Sequence, residues 1–149
     1  MAHDFKNFPE LTNRQMQVYY FESPHKQVTE DFRGRVIKVT DGDTIRVEWE
    51  ERELPVTIRM AKLAAPESKE KGGLESKTWL SEQIMGKEVD VKLSKKRVEK
   101  WGRILATIYS KGMNIGDESI RMGHAVSWDN RNAGGSIPNF FAELDSIKL

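Results

Sequence analysis

Three clusters in this chain carry side chains of the types that do chemistry. Asp41-Gly42-Asp43-Thr44 sets a carboxylate on either side of a glycine, between two strand-like runs. Asp-Gly is also a common pair in tight turns, and as a turn alone the segment binds nothing. Arg59 occupies the polar phase of its run and is followed at close range by Pro66 and Glu67, so a cation and a carboxylate converge near one strand end. A surface salt bridge would account for that pair equally well. The run Lys95-Lys96-Arg97-Val98-Glu99-Lys100-Trp101-Gly102-Arg103 reads as a basic loop interrupted by one aromatic and leading into a strand. Phosphate contacts and base stacking need these residue types. A solvated charge run with Trp101 packed on the fold would look the same.

Composition narrows the chemistry. There is no cysteine, which removes disulfides, zinc-thiolate sites and thiol nucleophiles, and the histidines, His3, His25 and His124, lie far apart. A metal would have to find oxygen ligands, which points to calcium or magnesium. Lys plus Arg number 24 against 23 Asp plus Glu, so attraction to phosphate has to be local rather than a bulk effect. With 32% charged and 38% hydrophobic residues, the chain has the balance of a globular protein, and no stretch approaches the ~20 apolar residues of a membrane span. The first residues lack a basic start and an apolar core of the signal-peptide kind, so the expectation is a cytoplasmic protein or the processed form of a secreted one.

The elements that must position these clusters follow from periodicity. A length of 149 residues suits one folded domain, here residues 30–149, preceded by an aromatic-rich arm over residues 1–29. In the arm, Thr12 followed by Gln15 is a capping-box pattern, predicting a helix over Asn13 to Phe21 that Ser23-Pro24 ends. The arm's aromatics predict wrapping over the domain's own surface, with docking of a protein partner as the alternative. From Phe32 onward the period becomes two. Ile45, Val47 and Trp49 alternate with charged residues, and Leu54, Val56, Ile58 and Met60 alternate with Thr57 and Arg59, predicting antiparallel strands. Val36 to Val39, Val89 to Leu93 and Ile104 to Tyr109 complete a set of five, the number an OB barrel uses. Leu80 and Ile84 predict a helix over Gly73 to Met85 that stops at Gly86; Asn114 to Gly123 reads as another, and Phe140, Leu144 and Ile147 as a third, after a Gly/Asn loop over Asn130 to Ser136. Trp49, Trp79 and Trp128 are expected in the core or at its edge, and His124 in a packing or surface role.

The runs GRVIKVTDGDTIRV, TIRMAKLAAPES, KWGRILATIY and NIGDESIRMGHA, in that order and approximate spacing, resemble the staphylococcal (micrococcal) nuclease family over about Phe32 to Val126. The resemblance implies an α+β, mainly β, five-stranded Greek-key OB barrel with about three helices. It implies that Asp43 binds a calcium ion, assisted by the backbone carbonyl of Ala65, and that Glu67 activates or orients the attacking water. Arg59 and Arg103 match the family's phosphate-clamping arginines, whose planar forks suit the oxygens on which charge gathers. Lys100 and Trp101 resemble positions that touch a substrate phosphate and nucleotide, and Lys95, Lys96 and Arg97 are expected beside them. Asn114 resembles a residue that supports its loop structurally.

One position departs from the pattern. Where the family usually has a second metal-binding aspartate in a D-x-P-E string, this chain reads Ala64-Ala65-Pro66-Glu67. A weaker or differently assembled metal site, a deliberate inactivating substitution, and a natural member that binds without cutting all fit that change. Asp41 is expected to hold the turn rather than move in as a ligand. The expectation is a monomeric, calcium-dependent nuclease, with magnesium or manganese as other cations, that hydrolyses phosphodiester bonds of DNA, RNA or both with little sequence specificity and favours unpaired strands. The rival is an impaired module on the same barrel that binds nucleic acid or a protein without cleavage.

Overall fold

The computed structural model describes residues 3–127 of the chain. In chain order they form α1 (Asn13–Tyr19), β1 (Phe32–Asp41), β2 (Thr44–Trp49), β3 (Arg52–Met60), β4 (Leu63–Ala64), α2 (Gly73–Ile84), β5 (Glu88–Val98), β6 (Ile104–Ser110), β7 (Met113–Asn114), α3 (Ile115–Arg121) and β8 (Val126–Ser127). A single 3-10 turn, Tyr20–Glu22, continues α1. The expected C-terminal helix around Phe140, Leu144 and Ile147, the loop over Asn130 to Ser136, and Trp128 lie outside the described residues.

The five long strands pair in the order β3-β2-β1-β5-β6, and β6 returns to β3, closing the sheet into an OB-type barrel. Every neighbour is antiparallel except this closing pair, where Ile58 and Ile104 face each other in a parallel register. Register shifts in β1 after Val36 and Val39 give the local bends that help a sheet curl. Alternation, interrupted in β1 by these shifts, sends Val36, Val39, Ile45, Val47, Val56, Ile58, Val91, Ile104 and Ile108 into one core. Leu80 and Ile84 of α2, both fully buried, join it. Closure puts strand ends from different parts of the chain at a shared mouth.

The arm is anchored by buried polar contacts. Leu11 and Val28 are wholly buried, and Val28 belongs to the barrel core. Glu10, only 2% exposed, pairs with both Arg52 of β3 and Arg97 of β5. Arg97 also donates to the carbonyls of Leu11 and Val28 and to Asn13 Oδ1. Gln27 ties the two ends of the arm together, accepting from the Leu11 N–H and donating to the Pro9 carbonyl. The predicted capping box is present in both directions between Thr12 and Gln15. The His3, Phe5 and Tyr19 rings pack together in edge-on and tilted contacts, with ring centres 4.7 to 6.4 Å apart.

Two readings from the sequence need correction. The basic run is not one loop, because β5 continues to Val98 and only Glu99 to Gly102 forms the turn before Arg103. Within that strand Arg97 points inward and is 6% exposed, so its guanidinium is committed to the arm and unavailable to a nucleic acid. His124 stacks on Trp79 at 5.4 Å, and its carbonyl accepts from Ser76, which gives it the packing role expected. Asn114 caps α3 by accepting from the Asp117 N–H. Among the described residues no helix is long and apolar enough to cross a membrane.

Candidate active site

The register of the strands assembles the site. Asp41 pairs with Thr44, so Gly42 and Asp43 form a two-residue loop at the tip of the β1–β2 hairpin. Thr44 in turn faces Arg59 across the β2–β3 ladder. The parallel β3–β6 closure then sets Ile104 beside Ile58, which brings Arg103, just before β6, to the same end. Residues as distant in sequence as Asp43 and Arg103 therefore meet at one mouth.

Asp43, 6% exposed, sits at the centre of a hydrogen-bond chain. Its Oδ2 accepts from the Ala65 N–H at 2.9 Å and pairs with Arg59 Nη2 at 3.3 Å. Its Oδ1 accepts from the Thr44 hydroxyl at 3.0 Å, and that hydroxyl accepts from Arg103 Nη1 at 3.4 Å. Arg59 from β3 and Arg103 from the turn before β6 thus both reach the Asp43-Thr44 dipeptide. Arg59 is aimed by its Nη1, which donates to the carbonyls of Met60 and Leu63. Arg103 is held by Glu99, which accepts from its Nε and Nη2. That hydrogen bond keeps the Arg103 guanidinium above its ordinary pKa against the opposing effect of burial, with the charges of Glu99, Asp43 and Asp41 adding to it. Glu99 was read from the sequence only as part of a basic run. Its four-residue spacing from Arg103 carries no signal outside a helix, and the turn alone makes the pair.

The loop carrying Glu67 is strapped to the same hairpin at two points. Ala65 is bonded to Asp43, and Ser68 donates to Asp41 Oδ1 from both its N–H, at 3.1 Å, and its hydroxyl, at 2.6 Å. Asp41 thereby holds the turn and loop together, as expected of it. Glu67 lies between the two straps with an exposed side chain. The start of α2 supports it from behind: a Cβ on Gly73 would lie 1.8 Å from the Glu67 carbonyl oxygen. Gly73→Ala should therefore displace the Glu67 loop and destabilise the fold by about 1–3 kcal/mol, the usual range for overpacking. A thermal melt alongside a cleavage assay checks this, and an unchanged melt would refute the contact. Gly42 has a related role, since a Cβ there would lie 1.9 Å from Ser76 Oγ of α2. Close approach rather than turn geometry requires that glycine.

Next to Arg59 opens a cleft of about 510 Å³ lined by Leu63, Lys95, Lys96, Glu99 and Leu105. Lys95, Lys96 and Lys100 are exposed, and Lys100 lies 5.0 Å over the ring of Trp101, itself 57% exposed. For a divalent cation the oxygen donors at the mouth would be the Asp43 carboxylate and the Ala65 backbone, Asp41 being taken up by Ser68. This chemistry fits calcium or magnesium. Their number fits only a cation that keeps much of its water, since no three His, Asp or Glu side chains converge among the described residues. Ala64, 1% exposed, pairs with Val126 and contributes no ligand.

The site is thus the mouth of a closed OB-type β-barrel at which two oriented guanidinium groups surround a buried carboxylate. The comparisons with known proteins go further. Residues 57–142 match the family described as Staphylococcal nuclease homologue, and the chain belongs to that family. An Escherichia coli protein named "Uncharacterized endonuclease" is 35% identical over 109 residues, covering 72% of this chain and 69% of its own. A Haemophilus influenzae protein of the same name is 33% identical over 94 residues, 63% of this chain and 51% of that one. The "Micrococcal nuclease" of Shigella flexneri is 35% identical over 80 residues, 54% of this chain and 44% of the relative. The chain thus aligns with about half the length of these last two.

Proposed function

We propose that this chain is a metal-dependent nuclease that hydrolyses phosphodiester bonds of DNA, RNA or both with little sequence specificity, calcium being the cation its oxygen donors favour. The observation that carries this reading is the meeting of Arg59 and Arg103 on Asp43 and Thr44, beside a strapped loop that exposes Glu67. Membership of the staphylococcal nuclease family and relatives named endonuclease support it.

Asp43 and the Ala65 carbonyl would hold the cation, with water completing its shell. When bound, such an ion polarises a phosphoryl oxygen and lowers the pKa of a neighbouring water. The remaining chemistry belongs to the chain. Arg59 and Arg103 donate paired hydrogen bonds to the non-bridging oxygens, where negative charge accumulates as phosphorus becomes pentacoordinate. Glu67 takes a proton from the attacking water as its oxygen bonds to phosphorus. The P–O5′ bond breaks, and the departing oxygen keeps the electron pair and gains a proton from solvent, leaving a 5′-hydroxyl and a 3′-phosphate. Lys95, Lys96 and Lys100 meet neighbouring phosphates, and Trp101 offers a face on which an unpaired base stacks.

The test incubates purified protein with single-stranded DNA and with RNA at millimolar calcium, magnesium or manganese, beside chelator controls and Glu67→Ala. Metal-dependent cleavage that disappears in the variant is expected. Binding without cleavage in any metal would instead favour the non-catalytic module, a reading motivated by Ala64. Ala64→Asp probes the metal directly. Ala64 is 1% exposed and adjoins Ala65, whose N–H bonds to Asp43, so a carboxylate there is buried in the segment that holds Asp43. We expect the variant to be less stable than wild type in chelator and to gain more thermal stability on adding calcium, through the linkage of binding to folding. Calorimetry showing unchanged calcium affinity would reject this placement of the ligands.

A further inference from the structure

The arm adds Arg14 to a surface that shares Lys96 and Lys100 with the barrel site. Phe8 packs against the substrate-side turn, where a Cβ on Gly102 would lie 3.2 Å from Phe8 Cβ. From that contact the arm runs into α1, and a groove of about 320 Å³ opens between the start of α1 and the end of β5. Its walls include Thr12, Asn13 and Arg14 from the arm, and Lys96 and Lys100 from the barrel. Among the described residues no acidic side chain lines it. Arg14, Lys96 and Lys100 are exposed, whereas Arg97 at its floor is paired with Glu10 and turned into the fold. The neighbouring carboxylates are already engaged, Glu10 with Arg52 and Arg97, and Glu99 with Arg103. Among the described residues no carboxylate is ion-paired with Arg14, Lys96 or Lys100, so the groove presents three cations in a chain whose net charge is only +1.

From this arrangement we infer that the arm completes a second phosphate subsite, in which Arg14, Lys96 and Lys100 grip the backbone of a single-stranded nucleic acid leaving the turn at Trp101. The subsite rests on the nuclease reading for its ligand, but it assigns the arm a task in holding the strand rather than in the chemistry. Single-strand character follows from Trp101, whose exposed ring sits beside Lys100 at the groove's start and stacks only on an unpaired base. Each lost cation–phosphate contact should remove about 0.7 from the magnitude of the slope of log K against log salt for a single strand.

The experiment is fluorescence anisotropy on the full chain with labelled oligothymidylates in chelator, so that no strand is cut, over about 50 to 200 mM salt. A strand of about ten nucleotides, within the span of one OB domain, is compared with a dinucleotide. Arg14→Ala is expected to weaken the longer strand roughly three- to tenfold and to lower the slope by about 0.7, with little change for the dinucleotide. Arg14→Ala with Lys96→Ala should about double the slope change. Lys87→Ala, before the opposite end of β5, controls for general charge and should leave the slope unaltered. An Arg14→Ala slope and affinity equal to wild type, or a Lys87→Ala effect as large, overturns the subsite. If the wild type cuts with metal and only the Arg14 prediction fails, the nuclease reading survives alone. Failure of the wild type to bind any oligonucleotide overturns the subsite, and failure to cut in any metal overturns the nuclease reading with it.

Discussion

Arg103→Lys is expected to slow strand cleavage by about 100- to 1000-fold, the range seen when one oriented transition-state donor is removed. The structure gives Arg103 a planar fork held on one side by Glu99 and reaching Thr44 on the other. A lysine keeps the positive charge and can keep one bond to Glu99. It cannot hold Glu99 and present a second, parallel donor to a phosphate at the same time. Because the second bond matters most when charge builds on the phosphoryl oxygens, the loss should fall on the rate constant more than on apparent affinity. Single-turnover cleavage at saturating metal, with circular dichroism to confirm folding, provides the measurement. A rate within threefold of wild type would mean that Arg103 is a structural partner of Glu99 and nothing more.

Glu10→Gln should cost about 3–5 kcal/mol of folding stability, as breaking a buried ion pair from one side does. Glu10 is the shared anion of Arg52 and Arg97, and all three side chains are almost completely buried. Arg97 already has its pKa depressed by burial, with the charge and hydrogen bond of Glu10 opposing that effect. Arg52 Nη2 has no hydrogen-bond partner among the described residues, so the cluster has little spare capacity to absorb a second loss. The variant leaves two buried guanidinium groups without a counter-charge. Urea unfolding at neutral pH, repeated at high salt, reads the effect. Burial predicts that salt changes it little, in contrast to the exposed Lys26–Glu51 pair. A loss below 1 kcal/mol would show that the triad merely occupies space. The same variant has a functional consequence, because loosening the arm removes Arg14 from the groove. Its salt slope for a long oligonucleotide should therefore fall as that of Arg14→Ala does.

Much of the fold was legible because its signals are local. Alternation at Ile45 to Trp49 and Val56 to Met60 marks half-buried strands whatever the rest of the chain does. The Thr12–Gln15 reciprocal cap and the helix-stopping Gly86, with φ of +75°, depend only on near neighbours. The end of β5 was illegible for the opposite reason. Lys95, Lys96 and Arg97 are all cationic, so no contrast in hydrophobicity reports that Arg97 turns inward. Its partner Glu10 lies 87 residues away.

The candidate site divides along the same line. By themselves the residues specified which groups were available: carboxylates at 41, 43 and 67, arginines at 59 and 103, and no second family aspartate at 64. Pairing decided what they do. Strand register put Arg59 on Asp43, barrel closure brought Arg103 to Thr44, and a two-point strap made Asp41 a holder of the Glu67 loop. Side-chain type and short-range spacing are properties of the chain, whereas these partnerships exist only once strands distant in sequence share hydrogen bonds, and that requires the closed barrel.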